Sequence, residues 1–282
     1  PLRRQRQMCI RDRSVLMMFH RKSGDLDKEL EEMNQCMPHY YKITNGHGQG
    51  AETIMSAEAH FMRGNFVDAH IALEKAYTQI QGNGQESIAL CCDFLAQRLS
   101  ICMDIKMRNT FEERRKELLQ GHNTTWVNIF DSTCAYYYAV TGQTERIPAL
   151  FGAHMLSTVN FLAPGRPMME MIENQVYLAQ GEYSKVIGRS ESILAMSQAL
   201  HYDLVALHVQ IQLLAANWKL GKTEQALELL RGSLSQAFPD GILMPFVENY
   251  PYIEELLKGS FFGINENFLF RINRICLLYT SD

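Results

Sequence analysis

The amino-acid sequence predicts an all-α protein in which about six antiparallel helix pairs stack into a superhelix. Two observations support this prediction. Glycines recur at a spacing of 39–40 residues between stretches with helical periodicity, and no convincing alternation of apolar and polar residues indicates a strand. The repeat glycines are Gly24, Gly64, Gly142, Gly181 and Gly221. The interval of 78 residues between the second and the third equals two periods, with a degenerate unit near Met103.

The residues around each glycine predict the two helices of its unit. Apolar residues at helical spacing flank Gly64: Ile54, Ala57 and Phe61 before it, and Phe66, Ala69, Leu73, Ala76 and Ile80 after it. Glycine suits the end of the first helix, because a left-handed residue is commonly needed there. The other units read HRKSGDLDKEL, YAVTGQTERI, YLAQGEYSKV and WKLGKTEQA.

The residues that follow the glycines predict how the second helix begins and packs. Asp25 and Asn65 come directly after their glycines and are suited to cap the second helices. Four units carry a small or aliphatic residue five positions after the glycine, which lets two antiparallel helices approach closely: Ala69, Ile147, Val186 and Ala226.

Composition and charge limit the class of protein. The chain has 282 residues, of which 46% are hydrophobic and 21% charged, so it can form a sizeable core and is not a disordered chain. Its net charge of −4 argues against nucleic-acid binding as its main role. No apolar run approaches the roughly 18–20 residues that span a bilayer. Seven cysteines without a repeated spacing predict free thiols in a reducing compartment, so we expect a cytoplasmic protein.

The two ends of the chain are distinct from the repeats. Residues 1–13 contain five arginines and no helical or strand period, and the run from Arg3 to Arg13 resembles an in-frame translation of a transposase adapter used in sequencing libraries. Residues 276–282 resemble a translation of the reverse complement of the same adapter. We therefore interpret 1–13 and 276–282 as adapter-derived and 14–275 as an internal piece of a longer protein.

Longer stretches of the repeats resemble a known family. The segments GNFVDA and GEYSKV resemble the middle of a tetratricopeptide-type repeat, although the period is longer than the usual 34 or so residues. Residues 19–52, 57–69, 141–148 and 243–257 are similar to the helical-repeat region of maltose-regulator (MalT)-type members of the LuxR family. The resemblance covers most of 14–275.

The resemblance implies an ATP-dependent transcription regulator with three parts. Such a protein has a nucleotide-binding module, a central superhelix that senses an inducer or a partner, and a helix-turn-helix that binds DNA. We expect this chain to hold only the superhelix, because it has no GxxxxGK[ST] loop and no convincing recognition helix.

Several other features favour structural roles over chemistry. The glycine-rich loop 45–50 could present N–H groups to an anion, but it follows a helical segment and no Lys-Ser/Thr follows it, so an inter-repeat turn is favoured. His20 and His60 hold equivalent repeat positions, and Cys91-Cys92 are adjacent on a helix and cannot chelate together. We expect no catalytic residues, no metal and no cofactor in this chain; an enzyme with a site between repeats is the least favoured alternative.

A ligand groove is predicted along the first helices of the pairs. In tetratricopeptide register, positions six and three residues before each glycine face the concave side, which selects Glu58, Phe61, Tyr136, Gln175 and Trp218. Aromatic and hydrogen-bonding side chains suit a sugar-like or peptide-like inducer, whereas packing between neighbouring pairs is the alternative role for these residues.

The predicted function is that of a sensor and protein-interaction superhelix. Its expected partners are an inducer small molecule or a partner protein, together with the other domains of the same regulator, without direct contact to nucleic acid or membrane. The main alternative is a stand-alone scaffold that holds partner proteins.

Overall fold

The computed structural model describes residues 16–46, 48–81, 85–159, 161, 163–259 and 266–279, and within these ranges the chain is all-α, without a strand. This confirms the predicted fold class. We number the α-helices α1 to α15 in chain order. They are Leu16–Phe19, Leu26–Thr44, Ala51–Met62, Phe66–Ile80, Glu86–Cys102, Phe111–Gln120, Thr124–Val140, Ala149–Gly152, Arg166–Ala179, Tyr183–Leu200, Asp203–Lys219, Thr223–Ala237, Met244–Glu248, Tyr250–Lys258 and Glu266–Tyr279. Short 3₁₀ turns lie at Thr144–Arg146, Leu156–Thr158, Ala163–Gly165 and Phe238–Asp240.

Four of the repeat glycines follow the end of a helix in the left-handed conformation, as predicted, whereas Gly24 has this conformation but lies five residues after α1 ends at Phe19. All five have φ between 72° and 90°. At four of them the N–H of the next residue donates to the carbonyl five positions back, for example Glu182 to Tyr177 at 2.9 Å and Lys222 to Asn217 at 2.9 Å. This bond satisfies a carbonyl of the last helical turn, which would otherwise have no partner inside the helix.

The prediction that Asp25 and Asn65 cap the second helices with their side chains is wrong. Asp25 and Asn65 hold the N-cap positions of α2 and α4, but neither side chain makes a capping hydrogen bond. Their backbones, at φ/ψ of −107°/4° and −89°/68°, lie outside the extended conformation that a capping side chain normally uses.

Side-chain caps occur instead in the degenerate unit. Helix α5 ends at Cys102, and the next residue, Met103, is extended, so no left-handed glycine is needed there. Helix α6 then starts with a capping box between Thr110 and Glu113, and α7 starts with the side chain of Asn123 accepting backbone N–H groups.

The unit after Gly142 also departs from a regular helix pair. Instead of a second long helix, residues 144–158 form two 3₁₀ turns around the four-residue helix α8. Pro148 stands at the N-cap of α8, where its missing N–H and fixed φ prevent the chain from continuing the preceding turn as one helix.

The first helices of successive units pack side by side. Helices α3, α5, α7, α9 and α11 each contact the next in this order. Helix α4 packs against α3 and α5, α10 packs against α9 and α11, and α12 packs against α11. Helix α1 and the short helix α13 each contact both α3 and α11, the two ends of this row. The superhelical shape and its regular period stay a prediction.

The C-terminal segments turn back onto the beginning of the array. The N–H of Leu243 donates to the carbonyl of Met62 at 2.7 Å, and a Cβ added at Gly64 would lie 2.5 Å from Cδ1 of Ile275. Helix α15 continues past Ile275 to Tyr279, so it includes residues 276–279; residues 1–13 and 280–282 lie outside the described residues. None of the described helices combines the length and the apolar character that crossing a membrane requires.

Candidate functional site on the inner face

The first helices share a buried surface, here called the inner face, which holds a segment from the end of the array. The segment is 244–249, Met-Pro-Phe-Val-Glu-Asn, and we call it the MPFVEN segment. It forms the five-residue helix α13 and the residue after it, and all six side chains are buried. The residues just before the segment fix its position. Gly241 turns the chain with φ 68°, and the hydrogen bond from Leu243 N–H to the Met62 carbonyl attaches the start of α13 to α3.

The centre of the inner face is a buried ion pair between Arg98 on α5 and Glu248. Arg98 Nε lies 2.6 Å from Glu248 Oε1, and Arg98 Nη2 lies 2.9 Å from Glu248 Oε2, so the guanidinium holds the carboxylate with two parallel bonds. Each side chain is 1% exposed. Burial would lower the pKa of Arg98, but the Glu248 carboxylate outweighs that and raises it.

Three aromatic rings surround the guanidinium. The Arg98 Cζ atom lies 4.6 Å from the ring centroid of Phe61, 5.2 Å from that of Phe94 and 5.6 Å from that of Tyr136. The rings of Phe94 and Tyr136 also meet edge to face, with centroids 5.6 Å apart. The rings exclude water from the charge and supply cation–π attraction, which gives the arginine one fixed position.

Tyr136 supplies a third hydrogen bond to the same carboxylate. Its hydroxyl donates to Glu248 Oε2 at 2.8 Å and lies 3.5 Å from His208 Nδ1. Burial, with the nearby charge of Arg98, lowers the pKa of His208 well below its usual value, so this imidazole is neutral. Its Nε2 is buried and has no hydrogen-bond partner among the described residues.

An amide chain continues the contacts beyond the ion pair. Gln175 Nε2 donates to Asn249 Oδ1 at 3.1 Å, and Gln212 Nε2 donates to Gln175 Oε1 at 2.9 Å and to the carbonyl of Met171 at 3.1 Å. Asn249 in turn donates to the carbonyl of Pro245 at 2.9 Å. Within the described ranges Gln212 Oε1 is buried without a partner. Gln175 on α9 therefore binds Asn249, the last residue of the MPFVEN segment, directly, and Gln212 on α11 binds Gln175.

Glu58 lies near this ion pair, but it is not the carboxylate that pairs with Arg98. Its side chain is buried and accepts the backbone N–H of Leu16. Burial raises the pKa of Glu58 to about 8, although the Leu16 N–H and the Arg98 charge oppose the increase. Glu58 is therefore mainly protonated at neutral pH, and Glu248 is the carboxylate that balances Arg98.

The structure brings together three of the five predicted groove residues. Phe61, Tyr136 and Gln175 meet the centre described above, while Glu58 faces α1 through Leu16. Trp218 does not join them: it is half-buried near the end of α11 and packs against the core. Because segments of the same chain cover the four buried residues, their contact with an external ligand stays a prediction.

Sequence reasoning missed the residues that complete the site. They are Arg98, His208, Gln212, Glu248 and Asn249. Arg98 lies in the degenerate unit, where the missing glycine leaves the register undefined. A signal was present, since an arginine is the only charge in FLAQRLSIC, and a buried arginine requires a carboxylate partner.

A second group of charges lies at the outer side of the degenerate unit. Arg114 on α6 pairs with Asp93 at 2.8 Å and Glu117 at 3.2 Å and also contacts Glu86. The Tyr77 hydroxyl donates to Asp93 at 3.0 Å. We call these residues the peripheral cluster. All of them except Glu117 line an open cavity of about 320 Å³, and burial raises the pKa of Asp93 although Arg114 opposes this.

The remaining candidates have structural positions. Gly48 N–H donates to Gln85 Oε1 and Gln85 Nε2 donates to the Gly46 carbonyl, both at 3.0 Å, so the loop after α2 is a turn fastened to the start of α5; His47 lies outside the described residues. No group of three or more His, Cys, Asp or Glu side chains in the described part of the chain is arranged to hold a metal ion.

Comparison with models of known protein families finds no match, and comparison with curated proteins finds no similar sequence.

Proposed function

We propose that this chain is the sensor and protein-interaction module of a LuxR-family regulator of the maltose-regulator type. In this proposal an inducer or a partner protein binds to the inner face, and the response is passed to nucleotide-binding and DNA-binding domains outside this chain. The proposed role is non-enzymatic, uses no cofactor in this chain, makes no nucleic-acid or membrane contact of its own and operates in the cytoplasm.

One observation supports the binding part of the proposal. Polar side chains from α5, α7 and α9 converge on a single six-residue segment through Arg98, Tyr136 and Gln175. Apolar packing alone would bury such a segment without aligned donors, and buried polar groups are costly unless they are paired. The row of first helices therefore has the chemistry of a surface that selects what binds to it.

The regulator proposal is decided by the DNA that flanks the coding sequence. We expect a nucleotide-binding loop upstream and a helix-turn-helix downstream. Stop codons directly outside 14–275 would reject the regulator and leave the stand-alone scaffold.

A binding screen tests the inner face. We expect sugars or peptides that bind the chain to raise its Tm, and we expect Tyr136→Phe to reduce that rise. Tyr77→Phe is the matched control, because Tyr77 is also a largely buried tyrosine that donates to a carboxylate, but in the peripheral cluster. Equal responses of the two variants would reject the inner face as the sensing surface.

A further inference from the structure

Glu248 is held in the way that proteins hold the carboxylate of a ligand. Both of its oxygens accept bonds from the Arg98 fork, and Oε2 also accepts the Tyr136 hydroxyl. A planar guanidinium that binds a carboxylate at two points and is enclosed by aromatic rings selects a carboxylate over an amide or a hydroxyl.

The ion pair is an expensive way to fill the interior. Removing two charges from water opposes folding, and apolar residues of similar volume often stabilise a buried site as well or better. Packing needs alone therefore do not account for Arg98 and Glu248. A site that accepts a carboxylate and can release it does account for them.

The MPFVEN segment leaves polar groups of the inner face unsatisfied. His208 Nε2 and Gln212 Oε1 belong to side chains that are fully buried, and neither atom has a partner among the described residues. Their neighbours Tyr136 and Gln175 bind Glu248 and Asn249 directly. A different occupant of the same surface could satisfy more of these groups than the present one does.

We infer that the inner face is a recognition site for an acidic peptide, and that the MPFVEN segment is its resident internal occupant. This inference rests on the proposed function and names the ligand class of the same surface. Because the segment is covalently attached, its effective concentration is high, and an external peptide binds only when the segment is released or weakened.

The test uses a fluorescein-labelled peptide with the sequence of residues 244–250 and the chain carrying Glu248→Ala. We expect the peptide to bind this variant at least about tenfold more tightly than the unaltered chain, because the carboxylate position is open. A peptide carrying Glu248→Gln should bind the variant about tenfold more weakly, since it lacks the charge-assisted bonds. The double variant Arg98→Gln/Glu248→Ala should lose the preference between the two peptides.

Small carboxylates provide a second measurement. Acetate replaces the atoms that Glu248→Ala removes, so it should raise the Tm of that variant more than the Tm of the unaltered chain, with chloride at the same ionic strength as the control. If Glu248→Ala does not fold, Glu248→Gln keeps the side-chain shape and is tested with the same peptides.

Two results would overturn the inference: neither opened variant binds the peptide, or the two peptides bind equally well. Either result, together with flanking DNA that encodes nucleotide-binding and DNA-binding domains, would leave the proposed function standing with a different ligand.

Discussion

Two arginines on neighbouring helices show how differently this molecule uses charge. Arg98 on α5 is 1% exposed and binds a carboxylate that lies 150 residues away in the sequence. Arg114 on α6 is 14% exposed and pairs with acids at most 28 residues away, beside an open cavity. The inner face therefore depends on contacts between distant segments, whereas the peripheral cluster joins neighbouring helices at a surface that water reaches.

The largest effect is expected where the buried pair is broken. Arg98→Ala should lower the free energy of unfolding by about 3–5 kcal/mol, because Glu248 would remain buried without its counter-charge. Urea unfolding followed by circular dichroism measures this. A loss below about 1 kcal/mol, the range of exposed pairs, would remove the distinction between the two arginines.

A smaller effect of the inner face should appear as a dependence on pH at Glu58. Its pKa is about 8 in the folded chain against 4.5 ordinarily, so the folded state binds more protons between these values and stability falls as pH rises through them. Glu58→Gln should remove this part of the decrease. Unfolding curves of the unaltered chain and of Glu58→Gln at pH 5 and pH 8 test this. If the free energy of unfolding changes equally with pH in the two proteins, a buried, protonated Glu58 is contradicted.

The contact between the beginning and the end of the array at His20 should also make the stability depend on pH, over a narrower range than Glu58 does. Burial lowers the pKa of His20, but hydrogen bonds to Asp240 and Glu29 outweigh it and raise the value from 6.5 to about 9. The charged imidazole lies 2.8 Å from Glu29 and 3.1 Å from Asp240. Its stabilising contribution is complete below pH 6.5 and is lost as pH rises through 9.

His20→Gln should therefore be less stable than the unaltered chain at pH 6, and the difference should shrink by pH 10. Thermal unfolding at both values measures it. A difference that is constant with pH would show that His20 contributes by packing alone.

The smallest effect is expected at the peripheral cluster. Arg114→Ala should lower the free energy of unfolding by about 1–2 kcal/mol, less than Arg98→Ala, because its pairs are only partly buried beside an open cavity and are partly screened by salt. The loss should diminish in 1 M NaCl, whereas that of Arg98→Ala should not. A salt-insensitive loss as large as that of Arg98→Ala would show that both arginines act as buried charges.

The parts of the fold that the sequence predicted correctly depend on local chemistry. The left-handed turns at the repeat glycines follow from the absence of a Cβ. The helical period also explains why the positions six residues before Gly64, Gly142 and Gly181 are all buried, while their role in a ligand groove stays a prediction. Local chemistry also explains one departure from the predicted helix pairs, since Pro148 prevents the stretch after Gly142 from forming one long helix.

The unpredicted parts depend on segments that are far apart in the sequence. No spacing rule connects Arg98 with Glu248 or Gln175 with Asn249, because the MPFVEN segment follows the last repeat and has no periodic relation to it. The sequence could show that Arg98 needs a carboxylate, but the choice among 31 acidic residues depends on how the chain turns back.

The separation between Arg98 and Glu248 also has a consequence during synthesis. A ribosome that adds roughly 5–20 residues per second produces Glu248 about 8–30 s after Arg98, and helices α6 to α12 are synthesised within that interval. Throughout this time the guanidinium lacks the carboxylate that pairs with it in the folded chain. Linear repeat arrays can consolidate each unit against its neighbour as it emerges, but here the earliest units can reach their final packing only when one of the last segments arrives.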